Sequence, residues 1–148
     1  MKRILIAAIV ILFSMHTKAQ ILAPVKWSYA AKKINKEEAV IFLKATIDNG
    51  WHIYSQNVKD GGPVKTSFTF TPSKDYTVAG KTAEPAPVTK FEKVFNMDVS
   101  YFEHAVVFQQ KIKLKAGEAM IKGQLEYMTC NDKQCLPPAN IDFSIAVK

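Results

Sequence analysis

The sequence contains a single arginine, Arg3, and only two cysteines, Cys130 and Cys135. It has no internal repeat, no low-complexity segment and no Cys-x-x-Cys motif. Each scarcity excludes something. Arginine is the usual residue for bidentate recognition of bases and phosphates, so a chain almost without it is not expected to bind nucleic acid. Two cysteines supply half of a tetrahedral metal site, and no nearby Cys or His completes one, because His52 and His104 lie far off in sequence. Met97 and Met128 are soft copper-type ligands in principle, but they stand apart without a Met-rich cluster and read as packing residues. No bound metal or cofactor is therefore expected. Long apolar runs are also missing. A membrane-spanning helix needs roughly 20 apolar residues, and the longest run, Ile4 to Phe13, is about half that.

That short run has another reading. Lys2 and Arg3 precede it, and Thr17-Lys18-Ala19 places small residues at its end. This is the pattern of a secretory signal peptide over residues 1–19, cut after Ala19, leaving a single domain over 20–148. The expected product lies outside the cytoplasm and has no stable membrane insertion. The formal charge of +7 changes accordingly: Lys2, Arg3 and Lys18 leave, and 17 basic residues against 13 acidic ones give +4. Lys32, Lys33, Lys36, Lys111, Lys113 and Lys115 are spread over polar positions and read as a solvated surface. A domain of this size buries around two-thirds of its unfolded surface and needs no disulfide in order to fold.

The patterning is that of strands. Ala39, Ile41, Leu43, Ala45 and Ile47 alternate with Val40, Phe42, Lys44 and Thr46, a period of two with apolar residues on both faces, as in a central strand. Asp48-Asn49-Gly50 follows, then Trp51 to Tyr54, which predicts a hairpin. Gly61-Gly62-Pro63 marks a loop. Thr66 to Thr71 and Tyr76 to Gly80 read as strands, residues 83–89 as a connector with two prolines, and Val106 to Leu114 as a strand with Phe108, Ile112 and Leu114 on one face. Met120 to Cys130 reads as one strand with Ile121, Leu125 and Tyr127 inward, and Ile141 to Val147 alternates cleanly. Seven to nine short strands with frequent turns predict an all-β, two-sheet sandwich, with a barrel as the alternative.

The most informative segment is Tyr127 to Pro138, YMTCNDKQCLPP. Two cysteines in an exported chain normally pair. A hairpin turning through Asn131 to Gln134 would bring Cys135 opposite Cys130, within disulfide reach. Two readings of that bridge stay open on residues alone. As a staple it would contribute only roughly 2 kcal/mol, because the loop it closes is short. As an exchange site it would sit at a polar hairpin end, where a partner's thiolate can reach it. Lys133 would favour a thiolate nearby and Asp132 would oppose one.

These residues carry a resemblance. Tyr127 to Pro138, together with Gly50-Trp51-His52-Ile53-Tyr54, Gly62-Pro63 and the aromatic stretch Phe91 to Phe102, resembles the N-terminal domain family of the thiol:disulfide interchange protein DsbD over nearly all of residues 20–148. The resemblance implies an immunoglobulin-like β-sandwich in the periplasm. It implies a redox-active pair, Cys130 and Cys135, that accepts electrons from a thioredoxin-like or membrane donor and passes them to exported thiol proteins, with no cofactor beyond its own disulfide. It also implies an aromatic cap that withdraws when a partner docks. Phe95 and Phe91 both match that region. Tyr54 matches a neighbouring aromatic, and His52 stands where some members carry a tyrosine. Of the two sulfurs, the second, Cys135, is implied to form the mixed disulfide. On the residues alone, Trp51 and Tyr54 read as core or edge aromatics rather than site residues, whereas Phe95 in a polar loop does not. Ending at Lys148 without a membrane conduit or a Cys-x-x-Cys domain, the chain is expected to work as a stand-alone domain with a separate electron donor. The alternative is a non-catalytic immunoglobulin-like interaction module whose bridge is only structural.

Overall fold

The computed structural model describes residues 22–148, so the expected leader and its cleavage point lie outside the described residues. Those residues form eleven β-strands and no helix long and apolar enough to cross a membrane. In chain order the strands are β1 (Val25–Lys33), β2 (Glu38–Ile47), β3 (His52–Tyr54), β4 (Ser67–Phe70), β5 (Tyr76–Ala83), β6 (Val88–Glu92), β7 (Met97–Glu103), β8 (Ala105–Leu114), β9 (Ala119–Tyr127), β10 (Thr129–Cys130) and β11 (Ala139–Val147).

Alternation of apolar and polar residues explains the layers. On β2, Ala39, Ile41, Leu43, Ala45 and Ile47 are buried in turn, and on β8 so are Val106, Phe108, Ile112 and Leu114. A strand with one such face must press it against another sheet. One antiparallel sheet runs β1-β2-β8-β5 and another runs β11-β9-β4. Their inward faces share one core, in which Ile41, Leu43, Phe108, Ile121 and Leu125 are fully buried. Trp27 of β1 ties the two sheets together. Its ring lies 6.0 Å from Phe108, 6.1 Å from Phe68 and 5.5 Å from Tyr127. The domain is an all-β, immunoglobulin-like sandwich.

The third sheet, β10-β3-β7-β6, carries the cysteines. Its period of two divides its side chains between two places. Ile53 and Phe102, paired across β3 and β7, point into the main core. Tyr54, Tyr101 and Val99 point the other way, into a smaller cluster with Cys130. This sheet therefore rests on the sandwich with one face and builds its own small core with the other.

The structure differs from the sequence pattern in three places. The turn at Asp48–Gly50 exists, with Gly50 at φ 80° and the Trp51 amide donating to the Asp48 carbonyl over 3.1 Å. It does not close a hairpin. Both edges of β2 are taken by β1 and β8, so the chain crosses to the third sheet instead. The segment 120–130 is two strands, not one: β9 pairs with β11 and β4, then the chain changes sheets at Met128 and β10 pairs with β3. Finally, β1, β6 and β7 are strands that the pattern did not single out.

Candidate functional site: a capped disulfide at the end of the third sheet

Two residues of β10 begin the site. Thr129 pairs with Ile53 and Cys130 with His52, and the Thr129 hydroxyl donates to the His52 carbonyl over 2.9 Å. The chain then reverses. The Asn131 side-chain oxygen accepts the amides of Lys133 and Gln134 at 2.9 and 2.8 Å, and the Asn131 amide donates to the Gln134 carbonyl. An asparagine at the head of a turn holds it in this way, by substituting its side chain for a backbone acceptor. The Leu136 amide donates back to the Thr129 carbonyl. Cys135 is thereby placed opposite Cys130 and joined to it by a disulfide, with Cα atoms 4.0 Å apart. The predicted turn and pairing are both present. The two partners differ in exposure: Cys130 is 2% exposed, whereas Cys135 is exposed.

A second hairpin overhangs the bridge. β6 and β7 are joined by a turn in which the Phe95 amide donates to Glu92 and the Asn96 amide to Lys93. Asn96 adopts φ 52°, which asparagine tolerates better than most residues. Phe95 is half-buried and packs against the cluster of Tyr54, Val99, Tyr101 and Cys130. Phe91 is 51% exposed, and its ring forms part of the cleft wall. Of the two expected cap residues, Phe95 is therefore the one seated on the cysteine cluster. Between the hairpins lies a cleft of about 500 Å³, lined by both cysteines, His52, Tyr54 and residues of each turn.

His52 and Tyr54 form its inner wall. His52 Nε2 and the Tyr54 hydroxyl are 3.2 Å apart, and the His52 ring lies 5.2 Å from that of Tyr54 and 4.9 Å from that of Tyr101. Burial pushes the Tyr54 hydroxyl up to about 12, with Glu92 adding to the rise. Burial also pushes His52 below its ordinary value, against the upward pull of Glu92, Glu103 and Asp132.

All four residues proposed beside the cysteines thus gather at one cleft. Tyr101 and Val99 join the site without a motif of their own in the sequence; the signal that marks them is the alternation of Met97, Val99 and Tyr101 along β7. Met97 and Met128 pack against the cysteine cluster, as packing residues do, and Trp51 lies against the main core. His104 remains apart, at the β7–β8 corner, where its carbonyl accepts the Ile47 amide. Among the described residues no three His, Cys, Asp or Glu side chains gather as a metal set.

The family described as thiol:disulfide interchange protein DsbD, N-terminal, matches residues 18–146. The chain belongs to this family. Solved structures agree in fold. The DsbD N-terminal domain of Neisseria meningitidis, in its reduced form, aligns with a TM-score of 0.59 and 16% identity, over 89% of this chain and 94% of that one. The N-terminal periplasmic domain of ScsB from Proteus mirabilis aligns at 0.60 and 19%, over 88% of this chain and 48% of that one, so this chain spans about half of it. A complex between the DsbD and PilB N-terminal domains of Neisseria meningitidis aligns at 0.52 and 14%, over 84% of this chain and 87% of that one. No curated protein matches the chain by sequence.

Proposed function

We propose that the chain is a thiol–disulfide interchange domain of the periplasm, a protein-disulfide oxidoreductase relay whose only redox group is the Cys130–Cys135 bridge. A thioredoxin-like donor reduces the bridge, and the reduced pair passes its electrons to exported thiol proteins. Family membership supports the chemistry. The observation that carries it to named atoms is the asymmetry of the bridge: one buried cysteine and one exposed cysteine, in a cleft overhung by Phe95. Exchange requires an incoming thiolate to approach one sulfur along the S–S axis while the other leaves. The exposed Cys135 offers the first and the seated Cys130 the second.

Two of the similar structures support the setting. One is described as a periplasmic domain, and another is a DsbD N-terminal domain in complex with a second protein's domain. In this reading the cleft between the two hairpins, which holds the exposed Cys135, is the docking face for the donor. Phe95 is the cap that must withdraw, and His52 and Tyr54 are its inner wall. The reduction potential of the bridge tests the proposal. It is expected near those of exchange proteins, well above the roughly −300 mV of structural disulfides. A lower value would make the bridge a staple and the domain an interaction module.

A further inference from the structure

Opening the bridge creates a chemical problem at Cys130. When a partner thiolate bonds to the Cys135 sulfur, the electron pair of the broken S–S bond leaves on the Cys130 sulfur. Cys130 is 2% exposed, and it packs with Tyr54, Val99, Tyr101, Phe95, Met97 and Met128. An unpaired anion in such surroundings is costly, so it must gain a proton or a cation. The lysines at the cleft, Lys90, Lys93 and Lys133, are exposed. The Tyr54 hydroxyl, which holds its proton up to about 12, can offer a hydrogen bond but not a proton near neutrality.

His52 is placed to meet the need. It is the cross-strand partner of Cys130 in the β3–β10 ladder. Facing residues of an antiparallel pair project on the same side of the sheet, with Cβ atoms about 4.5–5.5 Å apart. Both residues line the same cleft. The ring is held by Tyr54 and Tyr101. The Tyr54 hydrogen bond occupies one ring nitrogen and leaves the other for a second partner.

We propose that His52 carries the proton of the exchange: it delivers a proton to the Cys130 sulfur as the bridge opens and takes it back when Cys130 attacks a mixed disulfide to close the bridge. This assignment rests on the exchange reading above. In the opening step the donor thiolate bonds to Cys135, the S–S bond breaks, and a solvent proton passes through the imidazole to Cys130. The donor's second thiol then displaces Cys135 as a thiolate, and the donor leaves oxidised. In the oxidised domain burial disfavours the charged imidazole; the charge developing on Cys130 offsets that penalty, so in the reduced domain the proton is shared between the ring and the sulfur. The other groups facing His52 are Tyr54 on its own strand, Tyr101 and Glu103 on β7, Lys90 and Glu92 on β6, and Asp132 in the cysteine turn. None of them is a party to the redox step, so a change in His52 between the two oxidation states reports on the sulfur.

Two titrations test the proposal without any partner protein. In the unaltered protein, the imidazole of His52 is followed by nuclear magnetic resonance, assigned by comparison with His104→Asn, which removes the other histidine of residues 20–148. Its midpoint is expected to rise by about one pH unit on reduction, a tenfold change in proton affinity. In a Cys135→Ser protein, where Cys130 is the only thiol, thiolate absorbance is expected to rise in two coupled steps. Adding His52→Phe should leave a single step at least one unit higher. Equal midpoints in the oxidised and reduced states, or identical thiolate curves with and without His52, would overturn the assignment. If His52→Phe fails to fold, the oxidised and reduced spectra of the unaltered protein still decide. Failure to form a mixed disulfide with a thioredoxin-like donor would instead count against the exchange reading and leave these titrations untouched.

Discussion

Cys130 and Cys135 share one bond and differ in almost everything else. Cys130 ends a strand and sits in a cluster of aromatic and sulfur side chains, while Cys135 follows a polar turn and faces solvent. An attacking thiolate reaches the exposed partner first. With a donor that carries only its nucleophilic cysteine, preactivated, Cys130→Ser is therefore expected to accumulate a stable mixed disulfide through Cys135, and Cys135→Ser little. The reverse pattern on a non-reducing gel would invert the assignment. Phe95 is the second residue to which the proposed exchange gives a task, as a cap on the bridge. Phe95→Ala should speed reduction by a small thiol several-fold at a cost of about 1 kcal/mol, against about 3–5 kcal/mol for a core ring such as Phe108. Phe91→Ala, at an exposed position, should change the rate less. A slow Phe95→Ala that is also badly destabilised would make this ring a core residue. Tyr54 adds a pH dependence. Its hydroxyl is raised to about 12, from about 10 in an unfolded chain. Below pH 10 both states hold the proton and the stability is fully present. Between about 10 and 12 only the unfolded chain ionises, so stability should fall by about 2 kcal/mol across that window. Urea titrations at several alkaline pH values measure it, and Tyr54→Phe should flatten that part of the profile.

At the scale of the element, β9 shows how closely the strands are fitted. Gly123 sits where β4 and β11 crowd in. A Cβ there would press on the Thr69 carbonyl oxygen and lie 2.6 Å from Cζ of Phe143. Gly123→Ala is expected to cost about 1–3 kcal/mol, seen as a lower urea midpoint. A neutral result would mean that the β4 edge moves aside freely. The strands that sequence patterning revealed were those with one buried face and one wet one, above all β2, β8 and β11. β1 escaped because its inward positions, Trp27, Tyr29 and Ala31, are interrupted by Ala30 and run into lysines. β6 escaped because it is an edge strand with hardly any buried residue, so it carries no periodic signal. The hairpin predicted after β2 failed for a different reason. An Asn-Gly pair specifies a tight reversal, and partner choice depends on which edges are free, which no local pattern records. The cysteine turn was legible because its geometry is local: four residues, one asparagine and two cysteines. The cap needed a contact between segments some 35 residues apart, and alternation does not encode such contacts.

For the molecule as a whole, the two cores have separate duties. The sandwich core holds some nineteen buried residues and neither cysteine. A fully buried Leu, Ile or Phe side chain contributes about 1.5–3 kcal/mol, so a few such residues outweigh the roughly 2 kcal/mol expected of so short a bridge. Cys130→Ala with Cys135→Ala is thus expected to keep the sandwich, with unchanged circular dichroism and a stability lowered by about 2 kcal/mol. An unfolded double variant would assign the bridge to architecture. The small ring it closes, with a separation of five residues, has a further consequence. A bond joining distant strands would make oxidation and folding a single variable, since cutting it would free a long loop. Here the loop is one turn already pinned by Asn131. The chain has almost the same freedom with the bond closed or cut. The domain can therefore be charged and discharged many times with little work done on its shape, and the direction of electron flow is left to the chemistry of the sulfurs and of the partner that docks on them.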